Sequence, residues 1–359
     1  MLQKYIVLFL VGIFIIYSGV PVVSAKELPK FYRGIRPLGM GDAFTAVSDD
    51  ENSFFYNPAG LRLKSVERGA KLFNPLFEIS KGTLDLYDDV VELDGAAINT
   101  RLINDRIGEH HHLRVSLFPH LLIPPFGVGI LAQGVGDVDT RNPVFTEVTT
   151  DLRFDLGLVL GGGRNFDRGL VGGVTAKYIQ RRGVIKTYTA TDIAADSFNP
   201  KNDLKTRSDF SFDLGVMIAL SEWTSFKEEW QPMAGIVLQN ITDLDFEEVG
   251  VYPMQLNLGV AIHPEIGMMP STIALDFVDI TRRIGTDDDF LKRTHLGAEF
   301  KFPKVVSVRL GVNQGYLTGG VTVNFWIVKF DIATFSEELG ASFRQRENRR
   351  TLAQISVGF

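Results

Sequence analysis

The chain has 359 residues, of which 45% are apolar, 35 are glycine, 27 are phenylalanine and none is cysteine. Without cysteine it can form neither a disulfide nor a thiolate-ligated metal or redox site. The formal charge of −6 gives no basic surface for nucleic acid or anionic lipid.

Residues 1–25 read as a signal peptide: Lys4, an apolar run from Tyr5 to Tyr17, then Val23-Ser24-Ala25 as a small-residue cleavage site before Lys26. Beyond it no run of about 20 apolar residues recurs, so any membrane crossing is expected to use strands.

Residues 26–66 have a different texture. Asp42 to Val47 is rich in small residues, Ser48-Asp49-Asp50-Glu51-Asn52 supplies turn and cap chemistry, and Asn57-Pro58-Ala59-Gly60 reads as a turn. The segment is folded but is no wall strand. Ahead of a wide barrel its natural use is a plug, or hatch, that fills the lumen.

From about residue 67 onward the period is two. In Ser208–Leu220, Phe210, Phe212, Leu214, Val216, Ile218 and Leu220 alternate with Asp209, Ser211, Asp213, Gly215 and Ala219. The same alternation runs through Thr150–Leu160 and Arg293–Phe302. Strands this long with one continuous apolar face suit a barrel in lipid better than a soluble sandwich. Fourteen such segments are predicted: 68–80, 111–118, 126–135, 150–160, 169–180, 208–220, 231–240, 253–263, 271–280, 293–302, 304–313, 317–325, 327–335 and 349–359. The odd-numbered links, such as 81–110, 136–149, 181–207, 241–252 and 336–348, are mostly long and the even-numbered ones short, as in outer-membrane barrels. The expected fold is therefore all-β: a transmembrane antiparallel β-barrel of about 14 strands over residues 67–359, with an N-terminal hatch. The chain ends in Ile355-Ser356-Val357-Gly358-Phe359, and a terminal aromatic on an alternating strand resembles the signal read by the bacterial barrel-assembly machinery. The implied location is the bacterial outer membrane, in contact with its lipid.

The segment Gly39-Met40-Gly41-Asp42-Ala43-Phe44, followed by an acidic turn and Phe54-Phe55-Tyr56-Asn57-Pro58-Ala59-Gly60, resembles the N-terminal hatch of the FadL-type outer-membrane transporters. It is also similar to PorV-like and "conjugal transfer TraF-like" barrels, with Asp42 where the latter usually carry Gly. The resemblance implies passive uptake of a hydrophobic small molecule such as a long-chain fatty acid, with Gly39, Met40, Gly41, Asp42, Phe54, Phe55, Asn57, Pro58, Ala59 and Gly60 as the hatch site. It further implies a lateral exit through a kinked third strand, for which Pro124, Pro125, Gly127, Gly129 and Gly134 are the candidates, because Pro removes a ladder donor and Gly weakens strand interiors. The alternative is a PorV-like docking or shuttle partner for exported proteins, favoured by the long links 181–207 and 336–348.

No catalytic constellation is recognisable, and an enzyme is not expected. No cofactor is called for. His110-His111-His112 are read as exposed loop residues and not as a metal site, because consecutive strand residues face opposite ways. Asp151, Arg153, Asp155, Asp209, Asp213, Arg293, Glu299, Lys301 and Arg309 fall on the inward face and predict a lumen of mixed sign, some of it available to pin the hatch.

Overall fold

The computed structural model describes residues 27–63, 68–85, 108–141, 147–189, 191–192, 203–224, 228–283, 289–302 and 305–358. The predicted signal peptide and Phe359 lie outside the described residues. The alternating segments form strands β1 (Gly69–Phe73), β2 (Leu76–Ser80), β3 (His110–Leu117), β4 (His120–Ile123), β5 (Phe126–Arg141), β6 (Glu147–Asn165), β7 (Leu170–Thr189), β8 (Lys205–Ala219) and β9 (Met233–Gln239). They continue with β10 (Leu244–Asp245), β11 (Val251–Tyr252), β12 (Gln255–Ile262), β13 (Glu265–Ile266), β14 (Met269–Phe277), β15 (Thr294–Lys301), β16 (Val306–Asn313), β17 (Tyr316–Phe325), β18 (Val328–Glu338) and β19 (Glu347–Gly358).

β1 with β2, and β3 with β4, are single wall strands broken in the middle, β13 extends a hairpin turn, and β10 pairs only with β11. The wall thus has 14 antiparallel strands. It closes where β19 pairs with β2 and β1 (Leu352↔Glu78, Lys71↔Gly358). Closure removes the exposed edges that an open sheet would present.

The period-two pattern sorts the faces as expected. On β6, Phe154, Leu156, Leu158 and Leu160 point outward and are about half exposed, while Asp155 and Val159 between them are buried in the lumen. An outward apolar band of this kind has no favourable home in water and fits hydrocarbon.

Two expectations are corrected by the strand ends. β5, β6, β7 and β8 run on well past their apolar stretches, to Arg141, from Glu147, to Thr189 and from Lys205, so the outer links are shorter than predicted. Ladder hydrogen bonds need no apolar face, and the polar ends pair in register (Arg141↔Glu147, Glu147↔Thr189). The link after β9 does not project outward either. It folds into the barrel as the β10–β11 hairpin and buries Leu244, Phe246, Val249 and Tyr252.

Candidate functional site

Residues 27–63 fill the lumen. They form a short helix α1 (Ile35–Gly39) and two 3-10 turns, Glu51–Phe54 and Pro58–Arg62, each started by an acidic or amide side chain. Asp50 accepts from the Asn52 N–H and Asn57 from the Ala59 N–H, which satisfies turn donors that a segment without ladder partners would leave bare. Gly41 and Asp42 both take positive φ, +64° and +68°. That explains why glycine suits position 42. A left-handed residue with a side chain costs about 1–2 kcal/mol, and here the Asp42 carboxylate accepts from the Tyr56 hydroxyl at 2.6 Å and pairs with Lys30.

The wall meets the hatch with glycine. A Cβ on Gly297 or Gly311 would run into the Met40 backbone, one on Gly215 into Asn57, and one on Gly173 into Pro58. On Gly235 it would lie 2.5 Å from the Thr45 carbonyl oxygen, and on Gly259 2.8 Å from Thr45 Cβ. Strands dislike interior glycine, but only a missing side chain lets another backbone come this close.

Charge then fixes the orientation. Arg36 of α1 forks onto Glu299 of β15 and also pairs with Asp49 and Asp50, while Arg309 of β16 takes the other side of Glu299 at 2.7 Å. Arg33 reaches Glu78 of β2 at 2.9 Å and Glu337 at 3.2 Å. Asp276 of β14 accepts from the Phe44 and Thr45 N–H groups, both at 2.7 Å, and His295 donates to the Gly41 carbonyl at 2.9 Å. Burial opposes charge on Arg36, but Asp49 and Glu299 outweigh it and hold the guanidinium protonated. Burial likewise raises the Glu51 carboxyl, yet the charge of Lys71 prevails and holds it well below the ordinary carboxylate range.

The predicted hatch residues converge. Gly39 accepts from Thr318, Gly41 donates to it, Met40 packs under Gly297, and Asn57 donates to the Thr45 carbonyl. Pro58 and Ala59 sit against Gly173, and a Cβ on Gly60 would strike the Ser48 carbonyl. Phe54 and Phe55 join an aromatic group with Phe31, Tyr32 and Phe118. Phe55 stacks on Tyr32 at 3.9 Å, and Phe118 lies 5.1 Å from Phe55 and 5.6 Å from Phe54.

The third-strand residues are placed differently. Pro124 and Pro125 make the turn before β5, and β5 pairs with β6 without interruption from Phe126↔Gly162 to Arg141↔Glu147. Gly127 lies under Phe54, Gly129 under Phe118, and Gly134 beside the outward Phe154. The candidate gate residues thus leave the pairing of this strand with β6 unbroken. The wall is broken one hairpin earlier, at Asn74-Pro75 and Phe118-Pro119, where proline removes the ladder donor in two neighbouring strands. Asn74 bridges the gap: its amide donates to the Phe118 carbonyl at 2.8 Å and its carbonyl accepts from the Phe118 N–H at 2.9 Å. Outside this break Leu72 and Phe73 both face outward, out of the normal alternation.

Other sequence readings also shift. Asp151, Arg153, Asp155, Asp213, Arg293, Glu299 and Arg309 do face inward, and they are paired, as in Arg181–Asp155 at 2.6 Å and Lys177–Asp213 at 2.7 Å. The histidines are not loop residues. They begin β3, and His112 is 1% exposed. Glu337 and Glu338, in the link read as a solvated or protein-contacting loop, are buried and bond inward to Gln314 and Tyr316. Sequence reasoning missed Arg33, Arg36, Glu78, Arg181, Asp276 and Arg350 as lumen residues, although the last four lie on strands whose parity marks them inward.

A cavity of ≈ 50 Å³ remains between hatch and wall, lined by Phe31, Tyr32, Phe55 and Tyr56 on one side and by Lys177, Gln239, Asn240 and Asn257 on the other. That is room for about three or four waters.

No protein-family model matches the chain, and no curated protein is similar to it in sequence. Solved structures are similar in fold. The CymD monoaromatic hydrocarbon channel superposes with a TM-score of 0.54 at 12% identity, over 95% of this chain and 98% of that one. The toluene transporter TbuX of Ralstonia pickettii gives 0.52 at 11% identity, over 91% and 97%. A FadL homologue of Pseudomonas aeruginosa gives 0.51 at 10% identity, over 94% of this chain and 99% of that one. At these identities the likeness is one of architecture: the chain has the FadL-type outer-membrane transporter fold.

Proposed function

We propose that this protein is an outer-membrane channel for passive uptake of small hydrophobic molecules, closed by the docked hatch and emptying sideways into the membrane. The observation that carries the reading is the position of the aromatic group. Phe118, which contacts Phe54, Phe55 and Tyr32, is itself a wall residue at the break beside Asn74 and Pro75. An apolar molecule held among these rings has a short path to lipid through the break, whereas the remaining lumen is crowded with paired ions that an apolar molecule cannot solvate. The resemblance of the hatch motif and the fold shared with hydrocarbon channels support the same reading. Monoaromatic hydrocarbons and long-chain fatty acids are the substrate classes to try first.

The docking alternative lost part of its residue support when Glu337 and Glu338 proved to face inward. The two readings separate in one experiment. Native mass spectrometry of protein gently extracted from its own membrane is expected to find a recurrent small apolar molecule, lost when Phe54, Phe55 and Asn57 are changed to Ala. A stoichiometric exported protein with no such molecule would overturn the transport reading.

A further inference from the structure

One cluster of ligating side chains stands outside the hatch segment and its aromatic group. His110 and His112 stand two residues apart on β3 and so project to the same luminal face, with His111 turned the other way. Asp137 of β5 is the direct ladder partner of His112. Its Oδ1 lies 2.5 Å from His112 Nδ1 and 3.2 Å from His110 Nε2, and one ligating atom from each residue falls within 4.8 Å of the other two.

We propose that His110, His112 and Asp137 bind a divalent transition-metal ion of the zinc type. Two imidazoles and a carboxylate are a donor set for such an ion, with a fourth position left to water. A tetrahedral ion bonded at 2.0–2.2 Å needs ligand atoms about 3.3 Å apart. The ligand atoms, now between 2.5 Å and at most 4.8 Å apart, therefore have to even out to that spacing as an ion enters.

The outer partners are already in place. With the ion on Nδ1, His112 Nε2 is left 3.0 Å from Glu78 Oε1, and Asp137 Oδ2 accepts from Arg153 at 2.9 Å. A carboxylate behind a ligating imidazole fixes its tautomer and raises its basicity. His112 is buried, while the His110 and Asp137 side chains keep 12% and 13% exposure, which leaves an entry path. Glu78 also accepts from Arg33 of the hatch at 2.9 Å, so His112, Glu78 and Arg33 form a continuous line. An ion at this site stiffens the wall where the hatch is tied to it.

The test uses the full chain in detergent, stripped with EDTA. Competition against a chromogenic chelator is expected to give one Zn²⁺ per chain, and Zn²⁺ but not Mg²⁺ is expected to raise the thermal midpoint of the barrel. His110→Asn, at the outer rim, should weaken Zn²⁺ binding by roughly tenfold or more, and Glu78→Gln by about 10–100-fold. Equal binding by wild type and folded His110→Asn, or none by folded wild type, overturns the site. X-ray absorption of the Zn²⁺-loaded wild type decides independently of any variant: two imidazoles and oxygen donors are expected, and fewer than two imidazoles overturns it.

Discussion

The Arg36 guanidinium holds Glu299 through Nη2 at 2.6 Å and Nε at 3.0 Å, a pairing of hatch and wall across 263 positions of the chain. With Arg309 on the far side, Glu299 is buried between two cations. Arg36→Met should destabilise the docked hatch by about 3–5 kcal/mol, the cost of breaking a buried pair from one side. The double variant Arg36→Met/Glu299→Gln should recover part of that loss. Thermal midpoints of the purified barrels measure both, and an unchanged midpoint for Arg36→Met would show that the pair does not hold the hatch.

On β15, a Cβ at Gly297 would lie 2.1 Å from the Met40 carbonyl oxygen of the hatch. Gly297→Val should lever Met40 off the wall and raise the conductance of the protein in planar bilayers. Gly319→Ala on the outer face, whose nearest neighbour would be 3.7 Å away, should leave conductance unchanged. Equal conductance in both variants would mean that the lumen is closed by something other than this contact.

Glu51 gives the hatch a pH dependence. Lys71 makes its carboxyl more acidic in the folded chain than the ordinary 4.5. Its contribution is therefore fully present above pH 4.5 and is lost as the pH falls from there through the folded-state value. Thermal midpoints should drop on acidification below pH 4.5 by more in the wild type than in Glu51→Gln. Parallel curves would remove Glu51 from the account.

Asn74 replaces two ladder hydrogen bonds at the break in the wall. Asn74→Ala leaves the Phe118 N–H without a partner, at about 1–3 kcal/mol for a buried group, while the Phe118 carbonyl keeps the His120 imidazole at 2.9 Å. If the break is the exit, Asn74→Ala should also change the rate at which cells take up toluene or oleate, while Gln180, on an intact strand, tolerates Ala without effect. A stability loss with unaltered uptake would place the exit elsewhere.

Much of the barrel was legible because its signal is local. Phe154, Leu156, Leu158 and Leu160 sit two apart, and a lipid-facing wall forces that spacing wherever it occurs. The hatch was legible as a segment, from its turns, but its attachments were not. Arg36 and Glu299 are neighbours only after closure, and nothing near either residue announces the other. His112 was misplaced by reading it as an exposed loop residue although it fell inside the predicted segment 111–118, where it shares the inward parity of Arg114 and Ser116. The inward β10–β11 hairpin was hidden for a similar reason. Phe246, Val249 and Tyr252 looked like a loop with some apolar residues, and only the lumen shows what those side chains cover.

The glycines facing the hatch also bear on how its hold is shared round the barrel. They lie on strands spread round the circumference, from Gly127 on β5 through Gly215 on β8 to Gly297 and Gly311 on β15 and β16. Because these seats are spread over strands all round the wall, no single strand carries the hatch alone, and a side chain added at any one of them has to displace hatch atoms or strain that strand.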